Sequence, residues 1–500
     1  MTNTDKVAKD RIVMGLGLVI VAAIPLVTNM ILVLRHFYVL GAFWSDSGAI
    51  ASLLWHNSWR LELLSVNSPL PFWQIHISPV FVPITLISWL LPFSEIQYFA
   101  LFCGVSFALP AVALYWLLVT SYRMRQGIAL LGAVFISLLF AYNGMALASS
   151  RNPHFEMFIV GTGMIFMVAL VRQHYRLAVV FFCLCITTRE DAGLHLAAIF
   201  TIFIAIQKLQ GVPLRHYRTI IWFIACGIFY SVSVIALQKY FSNGYNVLGH
   251  VYLGSPPFSN VSWRGILNNL DFYAAARLYI FLPLYLTLFW AARARNPVIA
   301  AGYISVIPWA LLSLIAVSTW ANTLSGYYCF PFMFAAFWPL VGLQLAPASG
   351  KLAKSPWHPA VVFSIILLSS FTDIPRQANP GHLDFPKSLF LAPSLQRQHK
   401  TDATLAEFVK DKASFGQIAV DSGVAALDPA DYLPSQLLQS PTIATADTVI
   451  YFPTSYQIGV IDTLIKQNHL KFSYQFPGTA LRLASNRPVA GVAGLVPLTP

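Results

Sequence analysis

Thr187-Thr188-Arg189-Glu190-Asp191-Ala192-Gly193 sets three consecutive charges inside what would otherwise be one apolar run, Leu177–Ile206. A helix crossing a bilayer needs about 20 mostly apolar residues. The run is too long for one such helix and short for two. It reads as two brief spans that turn around the charges and leave Arg189, Glu190 and Asp191 at or below the membrane surface. Ionisable groups at that depth are costly, and they usually face a cavity or a partner.

The rest of the chain repeats the pattern of long apolar runs broken by short polar links. Charged residues make up 10% of the 500 and hydrophobic ones 57%, against roughly 25% charged in an ordinary soluble domain. This is the composition of a polytopic α-helical membrane protein. The net charge of +12 does not point to nucleic acid, because Lys and Arg sit in small clusters between apolar runs. That is the positive-inside arrangement, with anionic membrane lipids as counter-charge. The five cysteines lie in or beside apolar segments without metal-ligand spacing, and read as small fillers.

Lys6, Lys9 and Arg11 place the N-terminus in the cytoplasm, ahead of a first helix expected to be retained. Requiring the later basic clusters to be cytoplasmic gives about 11 spans (10–13) by bilayer length. The Pro-broken run 77–92 is expected as a re-entrant or juxtamembrane element. Residues 1–372 form the transmembrane domain, with a first outer loop at 35–76 and a long outer loop at 238–272. After a linker at 373–394, residues 395–486 alternate helical and strand-like stretches, as in a small extracytoplasmic α/β domain. The tail 487–500 is expected to be flexible.

The same parity gathers the polar interruptions on the outer side. Asp46, in Ser45-Asp46-Ser47-Gly48, suits a general base or a metal ligand, or else a helix cap. His76 opens Gln74-Ile75-His76-Ile77-Ser78-Pro79, and either contacts a phosphate or anchors at the interface beside Trp73. His154 and Glu156 share a face if their segment is extended and diverge if it is helical. They can orient a hydroxyl or hold an ion, or Glu156 can simply pair with Arg151. In the 187–193 break Arg189 can neutralise one carboxylate and still meet a phosphate. The other carboxylate is then a base or a metal ligand, unless the three charges only cap a hairpin. His195 lies one helical turn beyond Asp191. Tyr252, Tyr327 and Tyr328 belong to an aromatic belt or stack on a sugar. No P-loop, dinucleotide fingerprint, Ser-His-Asp order or redox motif occurs, which argues against a primary pump.

The segments around Asp46, His76-Ile77-Ser78-Pro79, His154-Phe155-Glu156, Arg189-Glu190-Asp191 and Gly326-Tyr327-Tyr328-Cys329-Phe330-Pro331-Phe332 resemble a bacterial membrane-protein family catalogued as domain of unknown function 2079 (DUF2079). The likeness spans most of the chain. That family is distantly similar to the membrane glycosyltransferases of the GT-C fold, which use sugars carried on polyprenyl phosphate.

The resemblance implies a multi-pass protein of the bacterial inner membrane that transfers a sugar at the outer face. Asp46 takes the place of the first-loop acid, and Glu156, Glu190 or Asp191 that of a later acidic site. Asp46, Glu190 and Asp191 are the expected catalytic residues. His76, Arg151, His154, Arg189, Tyr327 and Tyr328 are expected to bind substrate or its phosphate. Glu156 and Asp191 would hold a divalent cation (Mg or Mn), if one is used. The sequence departs from the family pattern where Asp46 lacks an adjacent acid and where His76 stands near the place of a Lys-Pro-Pro signature. Two rival readings remain open: a transporter or flippase of lipid-linked envelope precursors, and a non-catalytic scaffold presenting the α/β domain.

Overall fold

The first apolar run forms helix α1 (Asn3–Arg35), whose stretch Ile12–Arg35 is long and apolar enough to cross a membrane. Inside it the buried Asn29 donates its side-chain amide to the Pro25 carbonyl oxygen at 2.9 Å, so the polar group is satisfied locally. The computed structural model describes residues 3–35, 37–38, 50–51, 53–55, 76–123, 154–212, 216–241, 248–324, 326–346, 359–369, 393–410, 415–421, 445–453, 458–476, 480–489 and 495–498. Asp46, Arg151 and the first span expected after residue 128 lie outside these residues.

The Pro-broken run yields the eight-residue helix α2 (Phe81–Ser88). Helix α3 (Glu95–Thr120) then starts in a capping box. The Ser94 side chain accepts from the Gln97 amide, and the Ser94 amide donates to Gln97 Oε1 at 3.1 Å, which settles two orphan donors of the first turn. Helices α1 and α3 pack closely, since a Cβ on Gly104 would stand 2.6 Å from the Leu26 carbonyl oxygen. Small residues at helix crossings permit such backbone contact in a bilayer.

Helix α4 (Glu156–Val171) is buried from Glu156 to Leu170, which accounts for its apolar composition on every side. The run split by charges folds as α5 (Tyr175–Ile186) and α6 (Ala192–Leu209) around a turn at 187–191. Helix α7 (Tyr217–Phe241) crosses α6 at Gly193 and Gly227: a Cβ on Gly193 would stand 2.5 Å from the Gly227 carbonyl oxygen. The opposite side of α7 exposes Trp222, Phe229 and Val232, as a lipid-facing surface does.

The long outer loop is partly helical. Helix α8 (Trp263–Ala276) leads at an 85° bend into α9 (Leu278–Arg293). Ser262 caps α8 by accepting from the Gly265 amide at 3.1 Å. The chain continues through a 3-10 turn, Pro297–Ala300, into α10 (Ala301–Ser305), α11 (Ile307–Leu314), α12 (Thr319–Asn322), α13 (Phe330–Leu345) and α14 (Pro359–Ser369). Among the described residues five helical stretches are long and apolar enough to cross a membrane, or six if the bent pair is one span. The shorter apolar helices α4, α5 and α13 pack among them. The molecule is a multi-pass membrane protein.

The C-terminal region folds as α15 (Leu395–Lys410), β1 (Ile418–Val420), β2 (Thr448–Tyr451), α16 (Ile458–Gln467), β3 (Phe472–Gln475), β4 (Arg482–Ser485) and β5 (Val496–Pro497). The sheet is mixed, in the order β1-β2-β4-β3-β5, with β1 and β2 parallel and the other pairs antiparallel. Helix α15 begins at Leu395, the first residue of the expected α/β region. Its first turns are polar and carry no apolar period, and they are set by Ser394, which accepts from the Arg397 amide at 3.2 Å. Part of the tail expected to be flexible returns to the sheet as β5, pairing with Tyr474 and Gln475.

This region meets the helical bundle. Gln97 Nε2 donates to Gln398 Oε1 at 2.9 Å, and the buried Tyr38 hydroxyl donates to Asp402 Oδ2 at 3.3 Å.

Candidate functional site

The turn at 187–191, the start of α4 and the lead into α2 come together in the bundle. The Val80 amide donates to the Thr187 carbonyl oxygen at 3.3 Å, bringing His76 alongside the charged turn. Phe155 packs edge-on against both His76 and Phe81. Thr188 is buried and returns its hydroxyl to the Leu184 carbonyl oxygen at 2.6 Å, so α5 ends in a satisfied turn just before the charges.

Arg189 is the hub. Its Nε donates to Asp191 Oδ1 at 2.6 Å, its Nη2 bonds Asp191 Oδ2, and its Nη1 donates to Glu156 Oε1 at 2.6 Å. The other Glu156 oxygen bonds His154 Nδ1. The guanidinium carbon lies 5.1 Å from the centroid of the Phe330 ring, a cation–π contact in a desolvated place. His195 Nε2 stands 3.6 Å from Asp191 Oδ2 and presents its ring edge-on to Trp309 and Phe330. Arg189 and Glu156 are both buried, and a buried pair of this kind holds only when its remaining polar atoms are also engaged.

Glu190 faces the other way. Its Oε1 accepts from His76 Nδ1 at 2.9 Å, while Oε2 is buried and has no hydrogen-bond partner among the described residues. Two adjacent carboxylates thus differ in availability. Burial alone would raise the Asp191 carboxyl, but the Arg189 guanidinium and His195 overcome it and hold it well below the usual range. Burial likewise opposes charging of His76, and the Glu190 carboxylate outweighs it, so the imidazole is raised above its ordinary value.

These contacts bring His76, His154, Glu156, Arg189, Glu190 and Asp191 into one cluster. His154 and Glu156 meet through a hydrogen bond although the lead-in is not extended, the Phe155 backbone between them being in the right-handed helical region. Glu156 pairs with Arg189 and His154. The Tyr328 carbonyl oxygen accepts from Trp309 Nε1 at 3.3 Å, and the residue packs beside Tyr252 and Ala321. The Tyr327 side chain lies outside the described residues, as do Asp46 and Arg151. Trp309 and Phe330 wall the cluster. Trp309 carried no sequence signal, being one apolar residue in an apolar run.

The donors for a divalent ion are already engaged. Glu156 and Asp191 each have both oxygens bonded to Arg189 or His154, and among the described residues no group of three or more His, Cys, Asp or Glu is placed to hold a metal. The described side chains therefore do not fit a Mg or Mn site. Arg189 is changed too. Three of its N–H groups are directed within the cluster, so its first role is to bind carboxylates, with the remainder of its fork left for an anion.

The fold is similar to that of ArnT from Cupriavidus metallidurans in the apo state, with a TM-score of 0.50 and 13% identity over 96% of this chain and 99% of that one. A second structure of ArnT, bound to undecaprenyl phosphate, superposes with a TM-score of 0.48 at 14% identity, over the same shares of the two chains. No family model and no curated protein matches the chain.

Proposed function

We propose that the chain is a membrane glycosyltransferase of the GT-C kind, and a member of domain-of-unknown-function family 2079. It transfers a sugar from a polyprenyl-phosphate-linked donor to an acceptor at the outer face of a bacterial inner membrane. The observation that carries this reading is the Glu190 carboxylate, buried in the turn before α6 with one oxygen that has no hydrogen-bond partner among the described residues. The likeness of that fold to ArnT and the sequence resemblance support it.

In the reaction the acceptor oxygen bonds to C1 of the sugar as the C1–O bond to phosphate breaks. Polyprenyl phosphate leaves with the electron pair. Asp46, in the place of the first-loop acid, takes the acceptor proton. Positive charge builds on the sugar as the leaving group departs, and a desolvated carboxylate fixed beside it stabilises that charge strongly. Glu190 supplies this charge, with His76 holding its other oxygen. Asp191 and Glu156 keep Arg189 in place, and Arg189 turns its remaining N–H groups toward the phosphate together with His154 and Arg151. Tyr327 and Tyr328 line the approach of the sugar.

The test is to reconstitute the purified protein with polyprenyl-phosphate sugars and follow donor consumption. Turnover that Asp46→Asn and Glu190→Gln each lower by about a hundredfold or more supports the assignment. Movement of the lipid between leaflets with no donor consumed would overturn it in favour of a flippase.

A further inference from the structure

Helix α8 carries three faces. Its inner side is fastened to the bundle: Asn269 Nδ2 donates to the Leu314 carbonyl oxygen at 3.0 Å, and the buried Tyr273 ring stacks on Phe281 with centroids 5.3 Å apart. A second side holds Trp263, Leu267 and Leu270, which recur at helical spacing and are 79, 62 and 47% exposed. Phe258 and Val261, just ahead of the helix, are exposed as well. A third side, about a quarter turn further round, holds the exposed Arg264, Asn268 and Asp271. Large apolar side chains left open in a stripe mark an interaction surface. A charged stripe beside them is the arrangement of a helix that lies in a membrane surface.

The direction of the helix agrees. α8 meets α9 at an 85° bend across one residue, Arg277. With α9 running through a bilayer, α8 runs nearly parallel to its surface. The bend is held by Arg277, which is buried. Its Nε donates to the Thr323 carbonyl oxygen at 2.7 Å and its Nη1 to that of Ala276 at 2.8 Å, and its guanidinium carbon lies 4.7 Å from the centroid of the Phe272 ring. Length points the same way. The 16 residues of α9 rise about 24 Å, short of a hydrocarbon core of about 30 Å. The apolar side of an interfacial helix sinks about 5–10 Å below the headgroups, which makes up the difference. α9 exposes Tyr285 and Phe289, so a lipid-facing surface begins on the helix that directly follows α8.

We infer that α8 is a membrane anchor lying in the headgroup layer, with Trp263, Leu267 and Leu270 among the acyl chains and Arg264, Asn268 and Asp271 in water. The partner is a phospholipid leaflet. The charged stripe runs alongside the apolar one from Arg264 to Asp271, as a boundary between lipid and water requires, and Trp263 opens the apolar stripe with a side chain that favours that boundary. Leu314, which holds Asn269, closes α11, the helix that carries Trp309. The anchor therefore fixes the height of one wall of the candidate site relative to the lipid phosphates. Nothing in this placement depends on the reaction performed there.

The experiment places single nitroxide labels on the full-length protein in liposomes of phosphatidylethanolamine and phosphatidylglycerol. Trp263→Cys, Leu267→Cys and Leu270→Cys label one stripe, and Arg264→Cys, Asn268→Cys and Asp271→Cys the other. Cys183 and Cys226, the two native cysteines that are not buried, are replaced by Ala, and Phe229→Cys on the exposed side of α7 is the lipid reference. Collision with oxygen and with a water-soluble nickel chelate measures the depth of each label. The first three labels are expected about 5–10 Å below the phosphates, and the other three at or above them. All six side chains are exposed, so the pattern is read across positions and does not hang on one variant. Free access of the nickel chelate to all six would overturn the inference by leaving α8 in water. Access of oxygen alone to all six would overturn it by making α8 part of a re-entrant span. Protection of the first three from both reagents would overturn it in favour of a protein on that face.

Discussion

Arg189 and Glu156 are 33 residues apart in the chain and meet at 2.6 Å, where the turn before α6 is tied to the first residue of α4. The pair is buried, and its other atoms are engaged by Asp191 and His154. Removing one partner leaves a charge stranded in a low-dielectric place, which costs about 3–5 kcal/mol. Glu156→Ala is therefore expected to lower stability by that amount, and Glu156→Gln by less, since the amide can still accept from Arg189. Thermal unfolding in detergent checks the order of the two variants.

Glu190 should behave in the opposite way. One of its oxygens has no hydrogen-bond partner among the described residues and the amide can still accept from His76, so Glu190→Gln is expected to leave the unfolding temperature nearly unchanged while turnover is lost. A variant that lost both in parallel would make Glu190 a structural residue. Comparing it with Glu156→Ala in one preparation separates the two kinds of carboxylate.

The α6–α7 crossing leaves no room for a side chain at Gly193. A Cβ there would meet the Gly227 carbonyl oxygen at 2.5 Å and Ser231 Oγ at 2.7 Å, and backbone cannot give way as a flexible side chain can. Gly193→Ala is expected to destabilise by about 1–3 kcal/mol and to displace Ser231. Gly459→Ala, where nothing lies within 4 Å of the added Cβ, is the control and should be neutral or mildly stabilising.

Docking of the C-terminal region should depend on pH through Asp402. Burial pushes its carboxyl up to about 6, and Tyr38 and His399 only partly offset that. An acid raised in the folded state binds its proton more tightly there than in the unfolded chain. Its contribution is then fully present below its ordinary value near 4 and is lost as the pH rises through about 6. Asp402→Asn keeps the contact to Tyr38 and removes the charge, so it should stabilise the protein at pH 7 by about 1–3 kcal/mol and do little at pH 4. Unfolding temperatures of the two proteins between pH 4 and pH 8 should converge on the acid side.

The sequence carried the membrane class and the place of the cluster because both depend on local contrast. Charges at 189–191 stand out against Leu177–Ile206 wherever the chain folds, and His154 and Glu156 likewise break an apolar pattern. It could not say which carboxylate Arg189 would take, since neighbours in sequence point to different sides of a turn. Asp191 turned inward to the guanidinium and Glu190 turned away, which distinguishes two residues that the sequence presents alike. Helix α8 was concealed inside a long polar loop, and β5 in a tail whose Pro and Gly content suggested no strand.

Gln97 has two duties at once. Its Oε1 receives the Ser94 amide and so helps begin α3, while its Nε2 holds Gln398 of α15. During synthesis the N-terminal parts of a chain are available to fold first, and about 300 residues separate these two glutamines. The landing point for α15 is therefore a side chain already oriented by a helix start made long before. Assembly then has a built-in order: the bundle prepares the seat, and the late-arriving region can take it only once α3 has begun correctly.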